Sequence, residues 1–155
     1  MTPVEFKRGI KLVLNTRLLI IALLFPACQS KSSEDTSPKF QQYYVKGEQL
    51  YLQNCSNCHQ KDGSGLGLLY PPLDSSDFMQ NNLEEVVCLI RNGKDGELLV
   101  NGKKYNQAMP ALGISDLEIA EIATYIYNSW NNRQGLMDVK LVSKILTSCD
   151  SLTTQ

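Results

Sequence analysis

The chain has 155 residues, 43% hydrophobic and 20% charged, with five cysteines, one histidine and one tryptophan; this length fits one ordinary domain with appendages and excludes a two-domain enzyme. Fifteen Lys and Arg against 16 Asp and Glu give a formal charge of −1, without the basic excess of a nucleic-acid binder. A single histidine excludes multi-histidine metal sites, and an odd cysteine count means that at least one cysteine stands apart.

Taken in chain order, residues 1–27 read differently from the rest. Lys7, Arg8, Lys11 and Arg17 precede an uninterrupted apolar run over 18–25, and Ala27 follows it. A charged start, a short apolar run and a small residue are the parts of a secretory signal. The run is shorter than the roughly 20 residues a membrane-spanning helix requires; a buried N-terminal helix is the alternative. The sequence Phe25-Pro26-Ala27-Cys28, leading into a polar stretch up to Pro38, resembles a bacterial lipoprotein signal. That resemblance implies lipidation of Cys28 and a lipid anchor in a membrane, with 28–39 as a polar tether too poor in apolar residues to pack. Phe25 and Pro26 depart from the usual pattern, and plain cleavage after Ala27 is the competing reading. Without residues 1–27 the chain keeps 11 basic and 15 acidic residues and is mildly acidic.

Helical character over 40–58 runs into Cys55-Ser56-Asn57-Cys58-His59. A C-x-x-C-H pentapeptide is the signature of covalent c-type haem attachment. Two thiols three positions apart on a helical turn face the same way, toward the two vinyl groups of one porphyrin, and the histidine that follows lies under the iron. A Cys55–Cys58 redox disulfide with an incidental His59 is the alternative. Gly63, Gly65, Gly67, Pro71 and Pro72 then mark a loop that can pass close to a haem face. Residues 82–92 carry Leu83, Val86, Val87, Leu89 and Ile90 at helical intervals and end at Gly93. Asn101-Gly102 predicts a hairpin between 97–100 and 103–105.

A haem iron with one histidine still needs a sixth partner: methionine, lysine, water or an open position. Met1 lies in the signal, Met79 in what reads as a polar loop, and Met137 after a helix end. Met109 precedes Pro110, which biases it away from helix and suits a thioether presented from an extended loop; filling a core gap is the alternative role. Ser115 and Glu118 form a capping box ahead of the last strongly apolar helix. Beyond Trp130, residues 136–149 read as a short amphipathic helix that either docks on the domain or binds a partner. Cys88 and Cys149 are the two cysteines left over, and in an oxidising compartment they pair most simply with each other; two separate thiols are the alternative.

From about Tyr44 to Trp130 the order of these features resembles a class I, mitochondrial-type cytochrome c: helix, C-x-x-C-H, Gly-rich loop with Pro-Leu, middle helix, Met-Pro, last helix. The resemblance implies an all-α cytochrome c fold, about four helices around one covalently bound haem c, occupying 40–131, with an extra C-terminal helix in the extension 132–155. It implies that Gly47 and Tyr51 cross Ile122 and Tyr125, and that His59 and Met109 are the axial ligands. It further implies that Pro71 supplies a carbonyl to the other nitrogen of His59 and that Leu73 is an apolar haem contact. Tyr70, Tyr105 and Trp130 either hydrogen-bond the haem propionates or simply pack, with Tyr105 the foremost candidate for a polar haem contact. The function implied is electron transfer between periplasm-facing respiratory or redox proteins, without enzymatic activity of its own. A dedicated haem subunit of a periplasmic dehydrogenase or reductase is the nearest alternative. A haem enzyme or gas sensor with a displaceable sixth ligand is the more distant one. Arg91, Lys94, Lys103 and Lys104 form either a basic docking rim or an ordinary solvated surface.

Overall fold

The computed structural model describes residues 37–149; the expected signal, Cys28 and nearly all of the tether lie outside the described residues. Among those described there are six helices and one two-stranded sheet, a helical architecture with a single hairpin. Helix α1 (Pro38–Asn54) takes in the last two residues assigned to the tether. Ser37 caps it, its hydroxyl accepting from Phe40 N at 3.1 Å, and Pro38 sits where a missing N–H costs nothing. The chain breaks helical continuity at Cys55 and resumes as α2 (Ser56–His59). After the Gly-Pro loop come α3 (Asp77–Asn81), capped by Ser76, and α4 (Leu83–Asn92).

The hairpin forms in the expected register. Strands β1 (Leu98–Val100) and β2 (Lys103–Tyr105) pair antiparallel, with Leu98 opposite Tyr105 and Val100 opposite Lys103. Asn101 and Gly102 both have positive φ, at 49° and 71°, as a two-residue turn with the right twist demands. Helix α5 (Asp116–Ile126) carries the full capping box: Ser115 Oγ accepts from Glu118 N while the Glu118 carboxylate accepts from Ser115 N at 2.8 Å. Helix α6 (Val139–Leu146) starts at Asp138, whose carboxylate accepts from Lys140 N.

The core is organised by the crossing of α1 and α5. A Cβ at Gly47 would stand 2.0 Å from the Glu121 carbonyl oxygen and 2.9 Å from Tyr125 Cβ, so glycine is what lets the two backbones meet. Around the crossing the rings of Tyr44, Tyr51, Tyr125 and Trp130 pack at centroid distances of 5.2–5.8 Å, in the tilted arrangements that aromatic quadrupoles favour. The C-terminal segment docks rather than projecting. Met137, Val142, Ile145 and Cys149 are buried in the same core as α4 and α5. Ser143 donates to Asp116 at 2.7 Å, and a disulfide joins Cys149 to Cys88 on α4.

Candidate functional site

Helix α2 is one turn long, and it brings Cys55, Cys58 and His59 to one wall of a chamber. Met109 stands in that chamber's lining as well. Two adjoining cavities of about 770 and 600 Å³, partly open to solvent, share Cys55, His59, Pro71, Leu89, Leu98 and Met109 as lining. Beyond the shared residues the larger is lined by Cys58, Tyr70, Tyr105 and Leu112, among others, and the smaller by Leu73, Phe78, Val100 and Ile122. His59 and Met109 therefore both line a largely apolar slot.

The orientation of His59 is fixed by the loop behind it. Its Nδ1 lies 2.9 Å from the Pro71 carbonyl oxygen. A carbonyl only accepts, so Nδ1 carries the proton and donates, and Nε2 keeps its lone pair. Burial holds the imidazole below its ordinary pKa while the Pro71 hydrogen bond pulls it partly back. The result is a neutral, oriented ring of the kind a metal ligand requires. Burial, and then the neighbouring Cys58, pushes the Cys55 thiol up to about 12. That is opposite to the lowered value a disulfide-exchange nucleophile needs, so the redox-dithiol alternative finds no support here.

Met109 is held by the end of α4. Its N–H donates to the Lys94 carbonyl and its carbonyl accepts from Lys94 N, both at 2.9 Å. Gly93, at φ +74°, makes that approach possible: a Cβ there would stand 2.5 Å from the Met109 carbonyl oxygen. The sequence marks Gly93 only as a helix end; its second role, seating the methionine segment, has no linear signal beyond the glycine itself.

Of the three aromatic candidates, Trp130 is committed elsewhere, donating from Nε1 to the Lys61 carbonyl at 3.3 Å. Tyr70 faces Cys58, which raises its phenol, first through a side-chain hydrogen bond. Tyr105 is buried, lines the larger cavity, and its hydroxyl has no partner among the described residues. Met79 departs from its reading as a polar-loop residue: it is buried on α3 and lines the smaller cavity. Five residues are too few for helical periodicity to show, and Ser76 at the cap was the available signal. Of the four basic residues, Arg91 pairs with Asp116 and Lys104 with Glu97.

This donor set fits a haem: two thiols three positions apart, a histidine whose Nε2 has no hydrogen-bond partner among the described residues, a thioether, and largely apolar walls. Residues 44–126 match the family model described as cytochrome C oxidase, cbb3-type, subunit III. The chain belongs to this family of c-type cytochromes. Its relatives include cytochrome c-552 of Thermus thermophilus, 28% identical over 99 residues that cover 61% of this chain and 75% of that one. Cytochrome c6 of Gracilaria tenuistipitata var. liui is 31% identical over 91 residues, covering 56% of this chain and 72% of the relative. The cytochrome c subunit of the quinone alcohol dehydrogenase of Gluconobacter oxydans is 28% identical over 117 residues, 70% of this chain but only 23% of that subunit. As a c-type cytochrome the protein binds one haem c covalently and belongs among electron-transfer proteins.

Proposed function

We propose that this cytochrome is a single-haem electron carrier with His59 and Met109 as axial ligands and Cys55 and Cys58 as the thioether attachment points. The observation that carries the reading is the single apolar slot lined by both His59 and Met109, with His59 locked through Nδ1. When bound, the haem supplies a one-electron couple. Residues 40–131 hold it, and the chain's contribution is to fix both ligands, exclude water and set the potential: the thioether of Met109 and the apolar walls favour the reduced state. Leu73, in the lining of the smaller cavity, packs against the bound group, and Tyr105 offers it a hydroxyl. With both axial positions taken by the protein no substrate position remains, so the protein is a carrier and not an enzyme.

Residues 1–27 serve as an export signal, and Cys28 carries a lipid that holds the protein at a periplasm-facing membrane surface. The tether 28–39 joins anchor to domain, and the extension 132–155 braces the domain through α6. The partners are respiratory complexes or periplasmic oxidoreductases. The optical spectrum tests the ligand set: the ferric protein should show the weak red charge-transfer band of a thioether bonded to iron and bind cyanide only weakly. High-spin ferric iron with tight cyanide binding would instead indicate a gas-binding or enzymatic site. The dehydrogenase relatives favour one second reading, a dedicated haem subunit. Such a subunit copurifies with one oxidoreductase under mild detergent, whereas a carrier does not.

A further inference from the structure

Eight large apolar side chains are exposed among the described residues, and three of them fall within four positions: Leu66 at 46%, Leu68 at 68% and Leu69 at 55%. The others are spread over α1, β1, α5 and α6. Backbone hydrogen bonds order the loop that carries them. Leu66 N donates to the Tyr70 carbonyl at 2.9 Å, and Leu69 N to the Leu66 carbonyl at 3.0 Å. Both shoulders of the loop hang on one residue: Gly65 N donates to the His59 carbonyl at 3.0 Å, and His59 Nδ1 donates to the Pro71 carbonyl. Each leucine leaves about half or more of its surface in water, where apolar area is unfavourable. An exposed apolar cluster presented by a fixed loop marks an interaction surface.

The loop borders the site. Tyr70 closes its bridge and lines the larger cavity, as do the exposed residues Gln107, Ala108 and Pro110. Lys94 is the one charged side chain in that lining, and its ammonium donates to the Asp95 carbonyl. Lys61 and Asp62, just before the loop, cancel. A membrane-binding patch pairs apolar side chains with an excess of Lys and Arg, which this rim lacks.

We propose that Leu66, Leu68 and Leu69 form the docking surface on which an electron-exchange protein with an uncharged, apolar face meets this cytochrome. The proposal rests on the electron-carrier reading. One electron passes between the reduced and the oxidised protein in the docked pair, with no bond made or broken. Apolar desolvation holds the pair, so association owes little to long-range charge.

The test uses the full-length haem-loaded protein and its Leu68→Ser/Leu69→Ser variant, each reduced and then mixed with membranes of its native organism or with ferricyanide. The variant should react with membranes about tenfold more slowly, the loss of roughly 1.4 kcal/mol of contact, and with ferricyanide at the wild-type rate, its spectrum and potential unchanged. The wild-type membrane rate should change less than about twofold between about 20 and 300 mM salt, a range over which charge steering collapses. Equal membrane rates for the two proteins overturn the proposal, as does a steep salt dependence. So does binding of Cys28→Ala protein to phosphatidylcholine vesicles that the added leucine substitutions abolish, which assigns the patch to lipid. A sedimenting dimer lost in the variant assigns it to a second copy of this chain and overturns it too. If the double variant fails to load haem, Leu68→Ala and Leu69→Ala singly should each slow the membrane reaction about threefold, against no change if the proposal is wrong. Wild-type protein that ferricyanide oxidises but native membranes neither oxidise nor reduce overturns the carrier reading itself.

Discussion

Met109 and Met79 are two thioethers lining one chamber, and what separates them is backbone placement. Met109 sits in an extended segment bridged to Lys94, its carbonyl against Gly93, while Met79 lies within α3 and its carbonyl accepts the Tyr127 hydroxyl at 2.9 Å. Met109→Ala should therefore abolish the charge-transfer band, open the ferric protein to cyanide, and lower the potential by a sizeable share of the roughly 0.8 V that axial ligands command. The same measurements on Met79→Leu should show little change; a band lost there and kept in Met109→Ala would exchange their roles. Gly47 supports a prediction of stability. Its Cβ would meet the Glu121 backbone, which cannot rotate away, so Gly47→Ala should cost about 3 kcal/mol, the upper end for overpacking, read from chemical denaturation of the haem-loaded protein. Much at this scale was legible in advance: Cys55, Cys58, His59 and Pro71 occupy one site because a pentapeptide and a Pro-Leu loop are strong local signals. The burial of Met79, the Lys94 bridge and the side-chain ties from Asp74 to Asn131 and from Asn132 to the Leu73 carbonyl were not, since each joins residues whose proximity only the tertiary fold creates.

Among the elements, the long helices followed their apolar periodicity and caps, and the hairpin followed Asn101-Gly102. The short α2 and α3 carry too few residues to show a period. The break between α1 and α2 at Cys55 is invisible in a stretch that reads as continuously helical, yet it turns the attachment motif toward the chamber. Helix α6 shows what a disulfide does for an element of eight residues, too short to be stable alone in water. Its apolar face reaches the core through Val142 and Ile145, and the Cys88–Cys149 bond closes a separation of 61 residues. Loop-closure entropy for that separation comes to about 4 kcal/mol, of which disulfides typically deliver about 2–4 kcal/mol. Replacing both cysteines by serine should lower unfolding stability by that amount in denaturant titrations and increase hydrogen exchange across α6. The haem spectrum should stay unchanged, because the chamber draws on Leu89 and Ile90 of α4, on other faces of that helix from Cys88. A lost haem spectrum would mean that α6 braces the chamber itself.

For the molecule as a whole, the decisive quantities are where it is held and how it meets a partner. Without residues 1–27 the chain carries 11 basic and 15 acidic residues, and a mild acidic excess of this kind offers little long-range steering toward an acidic partner. Encounter must then be secured another way, and under the proposed anchor at Cys28 confinement would do it. From a lipidated Cys28 to Ser37 there are nine residue steps, at most about 32 Å even fully extended, so the domain would never leave the layer next to the bilayer. Within such a layer the effective concentration of a membrane partner reaches the millimolar range, enough to replace electrostatic attraction for a short-lived complex. The prediction follows from that substitution of confinement for charge. Cys28→Ala protein, exported by the same signal, should be recovered in the soluble fraction with an unaltered spectrum and potential. In intact cells expressing equal amounts, its turnover with the membrane partner should fall about tenfold or more, the gain that tethering commonly supplies, and should recover in proportion as its concentration is raised. Equal turnover for the released and wild-type proteins would show that encounter is not limiting, and would remove the physical reason for an anchor at Cys28.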